Sequence, residues 1–180
     1  MKAITLTQPY ATLIAIGAKR IETRGWSTAY RGDVAIHAGS GLGPVGGASG
    51  LRELVNREPF RSVLGAWGER WGRDVLRDPS YHLPRGEIVA VAHLVESCRL
   101  TSDAQGRGFY WSGLQCWARV SEQEAAFGDF SAGRYGFRLR RVRPAPRGRW
   151  RVKGALQLWE WDASQHDLAF WLEPALSDEV

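Results

Sequence analysis

The stretch Gly17-Ala18-Lys19-Arg20-Ile21-Glu22-Thr23-Arg24 sets the reading of this chain. Lys19, Arg20, Glu22 and Arg24 crowd four charges into six positions directly after an apolar run. Side chains on a strand alternate faces with a period of two. Arg20, Glu22 and Arg24 then fall on one face, and Lys19, Ile21 and Thr23 on the other. If Lys19 lies beside the start of the strand, where the backbone still turns, it can swing toward Glu22. A carboxylate between cations stays ionised and holds their long side chains in place. Cations held this way are positioned to meet an anion such as phosphate. Taken alone, the same pattern also describes a solvated edge strand with alternating charges.

The flanks separate the two readings. Upstream stands Leu6-Thr7-Gln8-Pro9-Tyr10-Ala11, and downstream come Trp26 and then Tyr30-Arg31-Gly32. The block from Ile4 through Gly17-x-Lys19-x-x-Glu22-x-Arg24-x-Trp26 to Val34-x-Ile36-His37-Ala38 resembles the ASCH domain family. That family is named for a domain of the activating signal cointegrator, and it has a PUA-like fold. Its Gly-x-Lys-x-x-Glu-x-Arg signature is matched here at every fixed position. At roughly 7% per residue type, four fixed positions agree by chance about once in 40,000 windows, so the match is specific. A second similar block runs through Gly133-Arg134-Tyr135-Gly136-Phe137-x-Leu139, Val152-Lys153-Gly154 and Leu158-Trp159-Glu160-Trp161. The resemblance thins between about Gly39 and Pro84. It implies one α+β domain over 1–180, a small PUA-like β-barrel decorated by short helices, with a helical and Gly-rich insertion over 39–84.

Composition agrees with such a domain. The 180 residues are 44% hydrophobic, enough for a sizeable core, and carry a net charge of +5. Arg supplies most of the positive charge, and the only lysines are Lys2, Lys19 and Lys153. Arg makes bidentate phosphate contacts and stacks on bases, which points toward nucleic acid. A GC-rich genome gives the same bias without any ligand. Cys98 and Cys116 form neither a CxxC pair nor a disulfide framework, as expected of reduced thiols in a cytoplasm. His37, His82, His93 and His166 lack metal-ligand spacing, so neither a metal nor another cofactor is implied. The apolar run Tyr10–Ala18 is too short to span a membrane and lacks the layout of a signal peptide. The expectation is a cytoplasmic chain with no membrane partner.

Periodicity and breakers place the elements. Lys2–Leu6 reads as a first strand. Pro9 suits the first turn of a helix to about Ile16, with Gly17 as its C-cap. Ile21–Trp26 and Asp33–Ala38 read as strands. Gly39–Gly50 reads as a flexible loop. It holds a formal GxGxxG at Gly41, Gly43 and Gly46, but Pro44 stiffens the turn and no βαβ repeat or terminal acid follows, so a dinucleotide fingerprint is set aside. Leu51–Asn56 and Phe60–Trp71 look helical, Gly86–Leu100 is the longest strand signal, and Phe109–Trp117 is aromatic and mixed. Ser121-Glu122-Gln123-Glu124 is a capping box opening a short helix to about Phe127. Arg134–Val142 and Leu156–Trp161 read as strands and Gln165–Leu172 as a closing helix.

Candidate chemistry gathers at the motif. The amides opening the first helix would add an anion site beside Lys19 and Arg24. Tyr10, Trp26 and Trp159 offer flat surfaces for a base, whereas Trp67, Trp71, Trp117 and Trp150 read as core. Seven arginines lie within Arg138–Arg151, either a phosphate-tracking surface or a solvated edge that discourages aggregation. One function expected is therefore binding of RNA or single-stranded DNA, with Gln8, Tyr10, Lys19, Arg24, Trp26, Arg134, Tyr135 and Lys153 as contact residues. The resemblance also implies an alternative, because some small bacterial ASCH proteins are hydrolases. One type acts on acetylated cytidine and another on single-stranded RNA, each leaning on a Lys that matches Lys19. In the amidohydrolase type a Thr nucleophile stands where this chain has Glu22. A carboxylate would act as a general base on water instead, making Lys19 and Glu22 the catalytic pair of an enzyme acting on a modified nucleoside or on RNA. A protein partner binding over 39–78 is the third possibility.

Overall fold

The computed structural model describes residues 1–102, 108–112, 116–164 and 176. In chain order the elements are β1 (Lys2–Leu6), α1 (Tyr10–Ala15), β2 (Ile21–Arg24), β3 (Gly32–Ala38), α2 (Gly47–Val55), α3 (Phe60–Arg70), α4 (Pro79–His82), β4 (Glu87–Ser102), β5 (Gly108–Ser112), β6 (Cys116–Arg119), α5 (Glu122–Ala126), β7 (Tyr135–Pro144) and β8 (Leu158–Glu160). The closing helix expected over 165–172 lies outside the described residues. The stretch Phe109–Trp117 contributes two paired strands, β5 and β6.

Six strands follow the order β2-β7-β4-β3-β1-β8, and the β5–β6 pair extends from the far end of β4. Among the described residues only β1 and β3 run parallel, with Ile4 opposite Ile36, and the other strand pairs are antiparallel. The 16-residue β4 passes two register shifts against β7, between Val91 and His93 and between Leu94 and Glu96. Bulges of this kind bend a strand and raise its twist, which lets β4 serve two sheets. The curl brings β2, one end of the order, back to β1, which lies next to the other end: Arg24 on β2 donates Nη2–H to the Thr5 carbonyl on β1 at 2.8 Å. The fold is α+β, a small barrel-like sheet carrying short helices.

Helix α1 joins two cores. Ala11, Ile14 and Ala15 face the barrel with Ile4, Leu6, Val34, Ile36 and Phe137. Leu13 faces a second cluster built from Leu51, Val55, Phe60, Leu64 and Phe127. Burying a side chain of this size stabilises the fold by about 1.5–3 kcal/mol, so the helices over 47–82 are fastened to α1 through Leu13. The expected loop over Gly39–Gly50 is shorter than its composition implied, because α2 begins at Gly47. Packing of Leu51 and Val55 overrides the weak helix propensity of Gly47 and Gly50. The seven-arginine segment divides. Leu139 and Trp150 are buried, and Arg138 pairs with Glu96 at 2.9 Å. Arg140, Arg147 and Arg151 lie exposed.

Candidate functional site

The turn that delivers the motif is a Schellman closure. Gly17 takes φ +78°, a left-handed conformation costly for other residues. Its N–H donates to the Ile14 carbonyl at 2.9 Å, and Ala18 N–H donates to the Leu13 carbonyl at 2.9 Å. The chain leaves α1 with Lys19 pointing into the protein, and Lys19 is 0% exposed. Its ammonium donates to the Ile21 carbonyl and stands 3.7 Å from Glu22 Oε2. This is the swing toward Glu22 that the sequence allowed. The ammonium also lies 5.9 Å from the centre of the Phe130 ring.

A second carboxylate completes the cluster, and the motif itself does not contain it. Glu124 Oε1 lies 3.8 Å from the Lys19 ammonium. Its two oxygens accept the Arg20 and Ile21 amides, each at 2.9 Å. Ser121 does accept Glu124 N–H at 3.2 Å, as a capping residue should, but the Glu124 side chain reaches β2 instead of turning back on its own helix. Burial raises the Glu124 pKa above the usual carboxylate range; Lys19 and the two amides oppose that rise, and the Glu22 charge adds to it. The one sequence signal for Glu124 was the capping box, which names the residue but not its target.

Glu22 and Arg24 point to the other face of β2. Their side chains are 12% and 25% exposed and stand 3.3 Å apart. Across the sheet Glu22 is opposite Phe137 and Arg24 is opposite Tyr135. Beyond them Ser97 is opposite Phe137 and Arg99 is opposite Tyr135. Directly opposed side chains share a face, so Arg24, Tyr135 and Arg99 form one row across three strands. Arg99 is exposed and Tyr135 half-buried. Trp26 continues the face, set edge-on against Phe137 at 5.0 Å. Tyr10 packs edge-on against Phe60 at 6.1 Å, and burial and then the Glu22 charge raise its hydroxyl pKa, so it stays protonated.

Other expected residues sit differently. Gln8 is fully buried. Its Nε2 donates to the Pro84 carbonyl at 2.5 Å, and its Oε1 accepts Thr12 N–H at 3.2 Å. Thr7 and Pro9 carbonyls take the Ala11 and Leu13 amides. The Ala11, Thr12 and Leu13 amides that open the helix are therefore taken by acceptors of the same segment. Arg134 is tied to Asp129 and, through Nη2, to the Thr23 carbonyl at 3.5 Å, behind the row. Lys153 is exposed, next to Gly154, where a Cβ would fall 2.4 Å from the His37 ring. His37 is itself buried and bridges Thr5 Oγ1 at 3.2 Å and the Val152 carbonyl at 3.0 Å. Trp159 donates Nε1–H to the same Thr5 hydroxyl at 3.1 Å and so braces this turn. Trp150 is core and Trp67 half-buried, but Trp71 is 59% exposed, because α3 ends at Arg70 and the ring leaves the helical face. The Trp117 side chain lies outside the described ones.

Residues 4–106, more than half of the chain, match the ASCH domain. The chain belongs to the ASCH domain family. The match spans the motif strand, β3 and β4 and stops short of the downstream block from Gly133 to Trp161. No curated protein matches the chain. Among the described residues no helix is long and apolar enough to cross a membrane.

Proposed function

We propose that this chain is a nucleic-acid-binding module for RNA or single-stranded DNA, using the Arg24–Tyr135–Arg99 row. The observation that carries the reading is the row itself. Two guanidiniums flank a phenol ring across β2, β7 and β4, with Trp26 beside them. Arginines track phosphates while an aromatic ring accepts a base without regard to its identity. Lys19 serves this surface indirectly. Buried between Glu22 and Glu124, it fixes Glu22, which in turn holds Arg24. Lys153 supplies further positive charge from its exposed turn.

Gel-shift titration of a labelled single strand at several salt concentrations tests the proposal. Arg99→Ala should weaken binding and reduce the slope of log affinity against log salt by about one phosphate contact, 0.7 for a single strand. Salt-insensitive binding, or a slope unchanged in Arg99→Ala, would sink it.

The hydrolase alternative draws on one contact. Glu22 is the only carboxylate of the cluster within the motif, lies 3.7 Å from Lys19, and keeps some exposure through which water can reach it. Incubation with single-stranded RNA and with acetylated cytidine, scored for products beside Glu22→Gln, decides it. Product that disappears in Glu22→Gln makes the chain an enzyme.

A further inference from the structure

A cavity of about 580 Å³ opens between α1, the end of α3 and the end of β7, and it includes no residue of the Arg24–Tyr135–Arg99 row. Ala15 of α1, Ile16 directly after it, and Ile88 and Val89 of β4 make its walls apolar. Trp67 and Trp71 stand on the α3 side. Arg70, Arg73 and Arg147 also line it, and no acidic side chain does among the described residues. The arginines are held in different ways. Arg73 lies over the Trp67 ring at 5.5 Å, and Arg147 donates Nη2–H to the Tyr81 carbonyl at 3.1 Å. Burial and then the neighbouring Arg147 disfavour the charged form of Arg73, while Glu87 partly offsets them. Thr12 also lines the cavity. Its side chain is buried, and its hydroxyl oxygen has no hydrogen-bond partner.

We propose that this cavity binds a nucleotide, its base against Trp67 and Trp71 and its phosphate on Arg70, Arg73 and Arg147. The volume is that of a small-molecule site. Flat indole faces suit a base. Three guanidiniums lining one cavity, with Glu87 outside that lining, suit a phosphate, which would also relieve the mutual repulsion of Arg73 and Arg147. The unpartnered Thr12 hydroxyl on the α1 wall offers a hydrogen bond to a ligand edge. The same base-and-phosphate chemistry can come from a free mononucleotide or from the 5′-phosphorylated end of a strand. The proposal is independent of the reading of the motif face.

Calorimetric titration of the full chain with adenosine monophosphate is the test. Parallel arms use adenosine, inorganic phosphate, and a short oligonucleotide with and without a 5′-phosphate. Saturable binding of the mononucleotide is expected, roughly tenfold weaker for adenosine. Trp71→Ala and Arg73→Ala should each weaken it roughly tenfold, while Arg61→Ala, an exposed α3 residue outside the cavity, should leave it unchanged. If Arg73→Ala melts early, Arg70→Ala, at an exposed position, takes its place. Tighter binding of the 5′-phosphorylated oligonucleotide than of the mononucleotide, with the same variant pattern, would assign the ligand to a strand end. Equal affinity for adenosine and its monophosphate, indifference to Trp71→Ala and Arg70→Ala, or no binding in either phosphate-bearing arm would overturn the proposal.

Discussion

Lys19 is the residue whose role changes most between sequence and structure. Its surroundings make it a buried counter-ion for two carboxylates. Removing one partner of a buried charge set strands the others, which costs about 3 kcal/mol. Lys19→Met should therefore lower stability by about that amount in urea denaturation. Glu124→Gln should cost about 2 kcal/mol, since an amide oxygen replaces a carboxylate that takes two backbone donors. The double variant should lose less than the sum, because both changes empty one cluster; strict additivity would show that Lys19 and Glu124 do not interact. The Lys19–Glu22 contact was legible because both residues lie within four positions of each other. Glu124 was not, since its target amide is 104 positions away and spacing carries no information over that distance.

At the scale of elements, β1, α1, β2 and β3 were readable almost to the residue. Their breakers and alternation agree with their packing. The helix expected from Leu51 starts four residues earlier, its first turn hidden by Gly47 and Gly50, and the position of Trp71 was hidden by a periodicity that ran one residue past the helix. The Val152–Gly154 turn carries a pH prediction. Burial lowers the pKa of His37, opposed by its bond to the Val152 carbonyl, so the ring is neutral in the fold. As pH falls, the unfolded chain takes up this proton first. Stability from His37 is then fully present above about pH 6.5 and declines below it, by up to about 1.4 kcal/mol per unit, until the folded ring also protonates. Urea midpoints at pH 7.5, 6 and 5 should show that decline in the native chain and a smaller one in His37→Gln. Gly154→Ala should destabilise by about 1–3 kcal/mol at neutral pH, because its methyl group would overlap the ring.

For the whole molecule, the net charge of +5 gives a general attraction to polyanions. The proposed Arg24–Tyr135–Arg99 row would set a shaped surface apart from that background. Tyr135→Leu keeps the charge and removes the aromatic face, so it should weaken single-strand binding by about 1–3 kcal/mol with little change in salt slope. A filter-binding series at fixed salt checks it. A loss confined to low salt would mean that only charge matters. The row was only partly legible, because Arg99 joins it through strand pairing that no local motif announces.

The contact from Arg24 to the Thr5 carbonyl has a further consequence. It joins the end strand β2 to β1, next to the opposite end of the order, with a side chain instead of a ladder of peptide groups. A seam of that kind parts by the rotation of one long side chain, leaving every strand pair intact. Breathing of the wall should then concentrate at β2, and its amides should exchange with deuterium sooner than those of β3, which is flanked by β1 and β4. A strand of nucleic acid drawing Arg24 toward its phosphates would compete with the clasp, so occupancy would be felt as faster, not slower, exchange along β2.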